Sequence, residues 1–260
     1  MARFAVILPA AGRSTRFGDP ARKKTYADLD GRAVWLRAAD PFLGRPDVGQ
    51  VIVAIAPEDR ELFEGRHGAN VAFLGITVVE GGSERFETID RALGAVDPSC
   101  DHVAVHDAAR PCLAAEQVDA VFAAAIAHGA ALLAFPVADT LKRVGPDSLT
   151  IETVPRAGLY AAQTPQVFRL DLLRAAHARR HELEVPITDD AQLVEALGTP
   201  CLVVEGSPMN LKITTQADLR LALAILQSRP KPRGNDFLHP FSDERVTRGE
   251  GPKKTLDDLF

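Results

Sequence analysis

The chain has 260 residues, 46% of them apolar, and a formal net charge of −5. That length suits one large domain or one domain with an appendage, and the acidic balance offers no basic field to a nucleic acid. Cys100, Cys112 and Cys201 are scattered without a Cys-x-x-Cys pair, which argues against a disulfide framework and a zinc site, and no apolar run approaches the roughly 20 residues that span a bilayer.

In chain order, Phe4-Ala5-Val6-Ile7-Leu8 has the pattern of a strand covered on both faces. Its shortness, Pro9 and the arginines behind it make it a strand rather than the core of a signal peptide, and the expected compartment is the cytoplasm. The small residues Ala10, Ala11 and Gly12 then allow close backbone approach and leave N–H groups that favour an anion. Arg16 and Lys24 add fixed positive charge. The stretch is neither a P-loop nor a dinucleotide fingerprint, since only Gly12 and Gly18 are glycine. Small residues, free amides and cations are what a nucleoside triphosphate needs.

Ala33–Phe42 has helical composition, with Trp35 assigned to the core, and Val51–Ala56 and Ile76–Val79 read as strands. Gly81-Gly82-Ser83-Glu84-Arg85-Phe86-Glu87-Thr88 ends a strand and opens a helix over Glu84–Leu93. Paired glycines admit a flat ring, and Thr88 is placed to aim its hydroxyl at it; the plainer alternative is a tight turn N-capped by Ser83. The strand Val103–His106 runs into Asp107-Ala108-Ala109-Arg110-Pro111. A carboxylate at a strand end suits a magnesium ion on phosphates, and the fork of Arg110 suits a second anion; the alternative is an Asp–Arg pair closing a turn. His106 is read as support for the Asp107 loop.

A helix over Ala114–His128 and a strand over Ala131–Phe135 follow. Thr140–Val144 and Thr150–Val154 are β-prone runs around Gly145-Pro146-Asp147, which predicts a hairpin projecting as an arm over about 137–160. Leu170–His181 and Asp189–Leu197 read as helices and Cys201–Glu205 as a strand. Thr215 and Asp218 form a capping box that opens a last helix through Gln227. His177 and His181 lie four apart but lack a carboxylate motif and are not read as metal ligands. From Arg229 on, prolines and charges predict an irregular polar tail, 229–260. Alternating strands and helices imply an α/β domain, 1–228, with a mostly parallel sheet, helices on both faces and ligands at the carboxyl ends of its strands.

Several motifs agree in order and spacing. Pro9-Ala10-Ala11-Gly12-Arg13 with Arg16 and Lys24, Gly81–Arg85 with Thr88, and Val105–Pro111 resemble the 2-C-methyl-D-erythritol 4-phosphate cytidylyltransferases. Pro136–Lys142, Arg156, Ala162–Phe168, Ile187–Asp190, Glu205-Gly206 and Asn210–Lys212 extend the resemblance from Arg3 to about Leu226. It implies a Rossmann-like fold, a homodimer built through the arm, and transfer of CMP from CTP, with a divalent ion such as Mg2+, to the substrate phosphate. It also implies roles. Arg16, Lys24 and Lys212 contact the triphosphate and the transition state; Ala10, Ala11, Gly12 and Ala108 line the nucleotide; Gly82, Ser83 and Thr88 face the cytosine; Asp107 holds the magnesium. Arg110 and Thr188, with Thr140 and Arg156 from a partner's arm, hold the acceptor. The alternatives are a cytidylyltransferase for ribitol 5-phosphate or another polyol phosphate, and an inactive nucleotide-binding homologue. Where the family loop carries glycine the chain has Ser14, so the backbone there is expected to avoid a strained angle. Lys23 or Lys24 is the catalytic cation; Thr25-Tyr26 after it selects Lys24. Thr88 replaces a serine, and Met209 stands where an Asp is usual.

Overall fold

The computed structural model describes residues 2–12, 14–17, 23–183 and 186–229. The chain enters a central sheet at once with β1 (Phe4–Pro9), as its apolar run predicts. A turn at Asp30 and Gly31, both at positive φ, folds β2 (Asp28–Leu29) onto β3 (Arg32–Ala33). The helix predicted through Phe42 is shorter. α1 (Val34–Ala39) stops where Pro41 has no N–H to donate, and Asp40–Phe42 tightens into a 3-10 turn. β4 (Val48–Ile55), α2 (Arg60–Leu74) and β5 (Thr77–Glu80) follow. The sequence does not announce α2, which holds Gly65 and Gly68 and buries only Phe63 and His67, too narrow an apolar stripe to stand out.

Next come α3 (Arg85–Gly94), β6 (His102–Val105), α4 (Ala115–His128) and β7 (Ala130–Pro136). β8 (Leu141–Val144) and β9 (Thr150–Val154) pair as a separate antiparallel sheet, the hairpin predicted around Gly145-Pro146-Asp147. β10 (Tyr160–Arg169) returns the chain between β6 and β7 and was not predicted as a strand. Pro165 offers no ladder donor, and the pairing with β7 shifts register between Ala162 and Gln166. α5 (Leu170–Ala178) ends short of the predicted His181, where the 3-10 turn Arg180–Glu182 takes over. α6 (Asp190–Ala196), β11 (Leu202–Glu205) and α7 (Gln216–Ser228) complete the described fold. The capping box opens α7 as predicted: Thr215 N–H donates to Asp218 Oδ2 (2.8 Å) and Asp218 N–H to Thr215 Oγ1 (3.3 Å). Met1–Gln227 is one compact unit. The predicted tail, apart from Arg229, lies outside the described residues.

The main sheet has seven strands in the order β11-β7-β10-β6-β1-β4-β5, parallel except for β10, which runs against both neighbours. Alternation along β1 sends Phe4, Val6 and Leu8 to one face and Ala5 and Ile7 to the other. The first face packs on α1, α2 and α4 through residues such as Trp35, Phe63 and Phe122; Trp35 is fully buried, as predicted. The second packs on α3, α5 and α6 through Ile89, Leu173 and Val194. Helices therefore cover both faces. From β1 the chain moves outward to β4 and β5, then crosses to β6 on the other side of β1. That reversal opens a crevice at the carboxyl ends of β1 and β6, where such sheets bind ligands.

Candidate active site

A cavity of about 480 Å³ opens there, lined by the residues that follow β1, β4, β5 and β6 together with Lys24 and Lys212. Its two ends differ. At one, the turn after β5 brings backbone close: Gly81 N–H donates to Ile55 O (2.7 Å) and Arg91 Nη1 to Gly81 O (2.8 Å). A Cβ on Gly81 would stand 2.8 Å from Thr88 Oγ1 and 2.9 Å from Ala11 Cβ, so only glycine fits between them. Thr88 is buried, and its hydroxyl holds the turn, accepting from Gly82 N–H (3.1 Å) and donating to Glu84 O (3.1 Å). Glu84, not Ser83, precedes the first turn of α3; the Ser83 hydroxyl donates to Glu87 Oε2 at 2.8 Å.

Charge gathers at the other end. Lys212 Nζ lies 2.8 Å from Asp107 Oδ2, and Arg110 Nε 3.5 Å from the same oxygen. Burial alone raises the Asp107 pKa, but the charges of Lys212, Arg85 and Arg110 outweigh it and hold the carboxyl far below its usual range. Lys24 faces the same space. Burial, then the nearby charges of Lys212 and Arg16, pull its pKa down. A largely buried network supports Asp107 from beneath: Asp107 N–H donates to Thr164 Oγ1 (3.0 Å), the Thr164 hydroxyl donates to His106 Nδ1 (3.1 Å), and His106 Nε2–H donates to Arg110 O (3.1 Å). Arg110 Nη1 donates to Asn210 O (2.7 Å), which ties the Lys212 segment to the Asp107 loop. Arg85, also on the cavity wall, reaches the buried Asp190 carboxylate at 2.7 Å, and His177 Nε2 lies 3.3 Å from the other oxygen of that carboxylate.

Ten of the sequence-predicted residues line this one cavity: Ala10, Ala11, Gly12, Lys24, Gly82, Ser83, Thr88, Asp107, Ala108 and Lys212. Lys23 turns away to pair with Asp59, with Glu58 at 3.9 Å. Arg16 is exposed on the turn Thr15–Phe17, near enough for its charge to act on Lys24. The backbone at Ser14 corrects an expectation. It sits at φ +54°, in the left-handed region, held by Phe17 N–H on Ser14 O (2.9 Å) and Lys24 N–H on Ser14 Oγ (3.2 Å). Arg110 turns inward, as described. Thr188 is exposed, with both its N–H (2.9 Å) and hydroxyl (3.2 Å) on Gln192 Oε1. Thr140 and Arg156 are exposed beside the hairpin and do not line the cavity. Arg85, Glu87 and Thr164 stand in the predicted motifs without assigned roles, yet each fixes part of the site. Among the described residues no group of three His, Cys, Asp or Glu side chains gathers around a point. A single charged carboxylate fits a magnesium ion that takes its remaining ligands from phosphate oxygens and water.

The turn at Gly81-Gly82-Ser83 and the cluster of charges around Asp107 furnish the two sides of the switch point, and a sheet so furnished is that of a nucleotidyltransferase. Residues 4–228 match the family model described as IspD, 2-C-methyl-D-erythritol 4-phosphate cytidylyltransferase, and the chain belongs to that family. A protein of Rhodopirellula baltica bearing that name is 43% identical over 236 residues, 86% of this chain and 95% of the relative. Among solved structures, the chain is similar to the enzyme of that name from Thermus thermophilus, with 34% identity, a TM-score of 0.71, and coverage of 87% of this chain and 100% of the other. It is also similar to the 4-diphosphocytidyl-2C-methyl-D-erythritol synthase of Anaerococcus prevotii, with 28% identity, a TM-score of 0.74, and coverage of 87% and 96%. No helix among the described residues is long and apolar enough to cross a membrane.

Proposed function

We propose that the chain transfers CMP from CTP to 2-C-methyl-D-erythritol 4-phosphate and releases pyrophosphate, in the cytoplasm and as a homodimer. The observation that carries the reading is the division of one cavity into a glycine turn at Gly81-Gly82-Ser83 and a cation cluster around Asp107, in a chain of this family. The base lies against Gly82, Ser83 and Thr88, with Ala10, Ala11, Gly12 and Ala108 along the nucleotide. Arg16, Lys24 and Lys212 receive the triphosphate.

The reaction needs no protein base. A phosphate monoester has a second pKa of about 6, so it is mostly dianionic at neutral pH. One of its oxygens attacks the α-phosphorus as the bond from that phosphorus to the pyrophosphate oxygen breaks. Two anions must meet, and catalysis consists of aligning them and neutralising their charge. Lys24 suits this: burial and the neighbouring Lys212 pull its pKa down, so an incoming anion favours its charged form. Magnesium on Asp107 would supply further positive charge at the phosphates. Arg110 braces Asp107 and the Lys212 segment, while Thr188, with Thr140 and Arg156 from the second copy's hairpin, holds the acceptor. The exposed apolar residues Val144, Leu149 and Ile151 of that hairpin support pairing with a second copy. Pyrophosphate release from CTP should require 2-C-methyl-D-erythritol 4-phosphate; equal release with ribitol 5-phosphate, or none with either, would overturn the assignment.

A further inference from the structure

Ser83 lines the glycine end of the cavity and is exposed. Its hydroxyl lies 2.8 Å from Glu87 Oε2, and the same oxygen accepts Ser83 N–H at 2.8 Å and Glu84 N–H at 3.3 Å. These donors, the Ser83 hydroxyl first, hold the Glu87 carboxyl below its usual range, so at neutral pH it is ionised and only accepts. A hydroxyl has one proton. With that proton on Glu87, Ser83 Oγ has only lone pairs to offer the cavity. Three neighbouring donors are committed elsewhere: Gly81 N–H to Ile55 O, Gly82 N–H to Thr88 Oγ1, and the Thr88 hydroxyl to Glu84 O. Gly82 makes the arrangement possible, because a Cβ there would strike Glu87 Cβ and stand 2.6 Å from Oε2.

We infer that Glu87 is a positioning residue that sets base preference. By holding the Ser83 proton it fixes Ser83 Oγ as an acceptor, which welcomes an exocyclic amine such as that of cytosine and repels a ring carbonyl such as that of uracil. Without Glu87 the hydroxyl can rotate and donate to that carbonyl. The inference rests on the proposed use of CTP at this end of the cavity.

The test measures the affinities of CTP and UTP by calorimetry with magnesium, for the wild type and for Glu87→Ala, Glu87→Gln and Ser83→Ala. Wild type should prefer CTP. Glu87→Ala should lower the CTP-over-UTP ratio by about tenfold, the effect of one mismatched hydrogen bond. Glu87→Gln should keep most of the ratio, because its amide oxygen can accept the same three donors. Ser83→Ala should also lower the ratio, and adding Glu87→Ala to it should lower it no further. A wild-type ratio in Glu87→Ala, including the case in which both nucleotides weaken alike, overturns the inference, as does a wild-type ratio in Ser83→Ala. A wild type that binds CTP and UTP equally overturns the CTP reading itself, whereas a wild type that prefers CTP with an unchanged Glu87→Ala ratio overturns the role of Glu87 alone.

Discussion

Acid should loosen this protein through His106 before Asp107 protonates. His106 is fully buried, and burial above all pushes its pKa down to about 4 from an ordinary 6.5. Its ring is locked neutral by geometry, with Nδ1 accepting from Thr164 and Nε2–H donating to Arg110 O, both at 3.1 Å. Because the folded value lies below the unfolded one, the unfolded chain takes the proton first. Stability is therefore untouched above pH 6.5, falls as the pH drops below it, and loses the full amount near pH 4. At about 1.4 kcal/mol for each pH unit between the two values, the penalty reaches about 3 kcal/mol. Asp107, whose folded pKa is depressed, begins to lose stability only as the pH approaches the ordinary aspartate value of 3.8, so the windows separate. His67, also lowered by burial, contributes with the same sign and is unchanged in the variant. His106→Asn keeps an acceptor for Thr164 and removes the titration. Urea unfolding between pH 7 and pH 4.5 should give a wild-type stability that falls with acid more steeply than that of the variant. Parallel curves would refute the reasoning.

Further predictions concern turnover. Lys24→Ala should lower kcat by about 10² or more, while Lys23→Ala, which removes the Asp59 pair, should leave it within about threefold; the reverse order would exchange their roles. Asp107→Asn should raise the magnesium concentration needed for half-maximal activity several-fold, and an unchanged metal dependence would remove Asp107 from the metal site. If the hairpin serves a neighbouring copy, remixing inactive Lys24→Ala and Arg156→Ala homodimers should restore roughly a quarter of wild-type activity, since half the dimers are mixed and each has one intact site. No recovery, with exchange confirmed by mass-tagged chains, would place Arg156 and Lys24 in one site of one chain.

What could be read from the residues follows their physics. Val51–Ala56 and Val103–His106 declare themselves because strands covered on both faces must be apolar throughout. The α7 capping box does so because its donors and acceptors are local. β10 stayed hidden because Pro165 interrupts the ladder and polar Gln163, Thr164 and Gln166 are buried by tertiary bonds that no local pattern encodes. The site was legible as residue identities: Lys24, Gly82, Asp107 and Lys212 meet at one cavity. Side-chain direction was not. That Arg110 faces inward depends on Asn210, 100 residues on, and that Thr88 holds a turn and Ser14 sits at positive φ depends on local bonds whose direction no residue pattern encodes.

The bond from Arg110 to Asn210 spans 100 residues of sequence, and the counter-ion of Asp107, Lys212, lies just beyond Asn210. A ribosome working at about 5–20 residues per second delivers Asp107 well before Lys212. During that interval β1, β4, β5, β6 and the glycine turn are already made, while the Lys212 segment is not. Arg110, three residues on, is already at hand, but burying Asp107 before Lys212 arrives would leave the carboxylate with fewer counter-charges than the finished fold gives it. The finished environment of that carboxylate therefore waits on residues made about a hundred positions later.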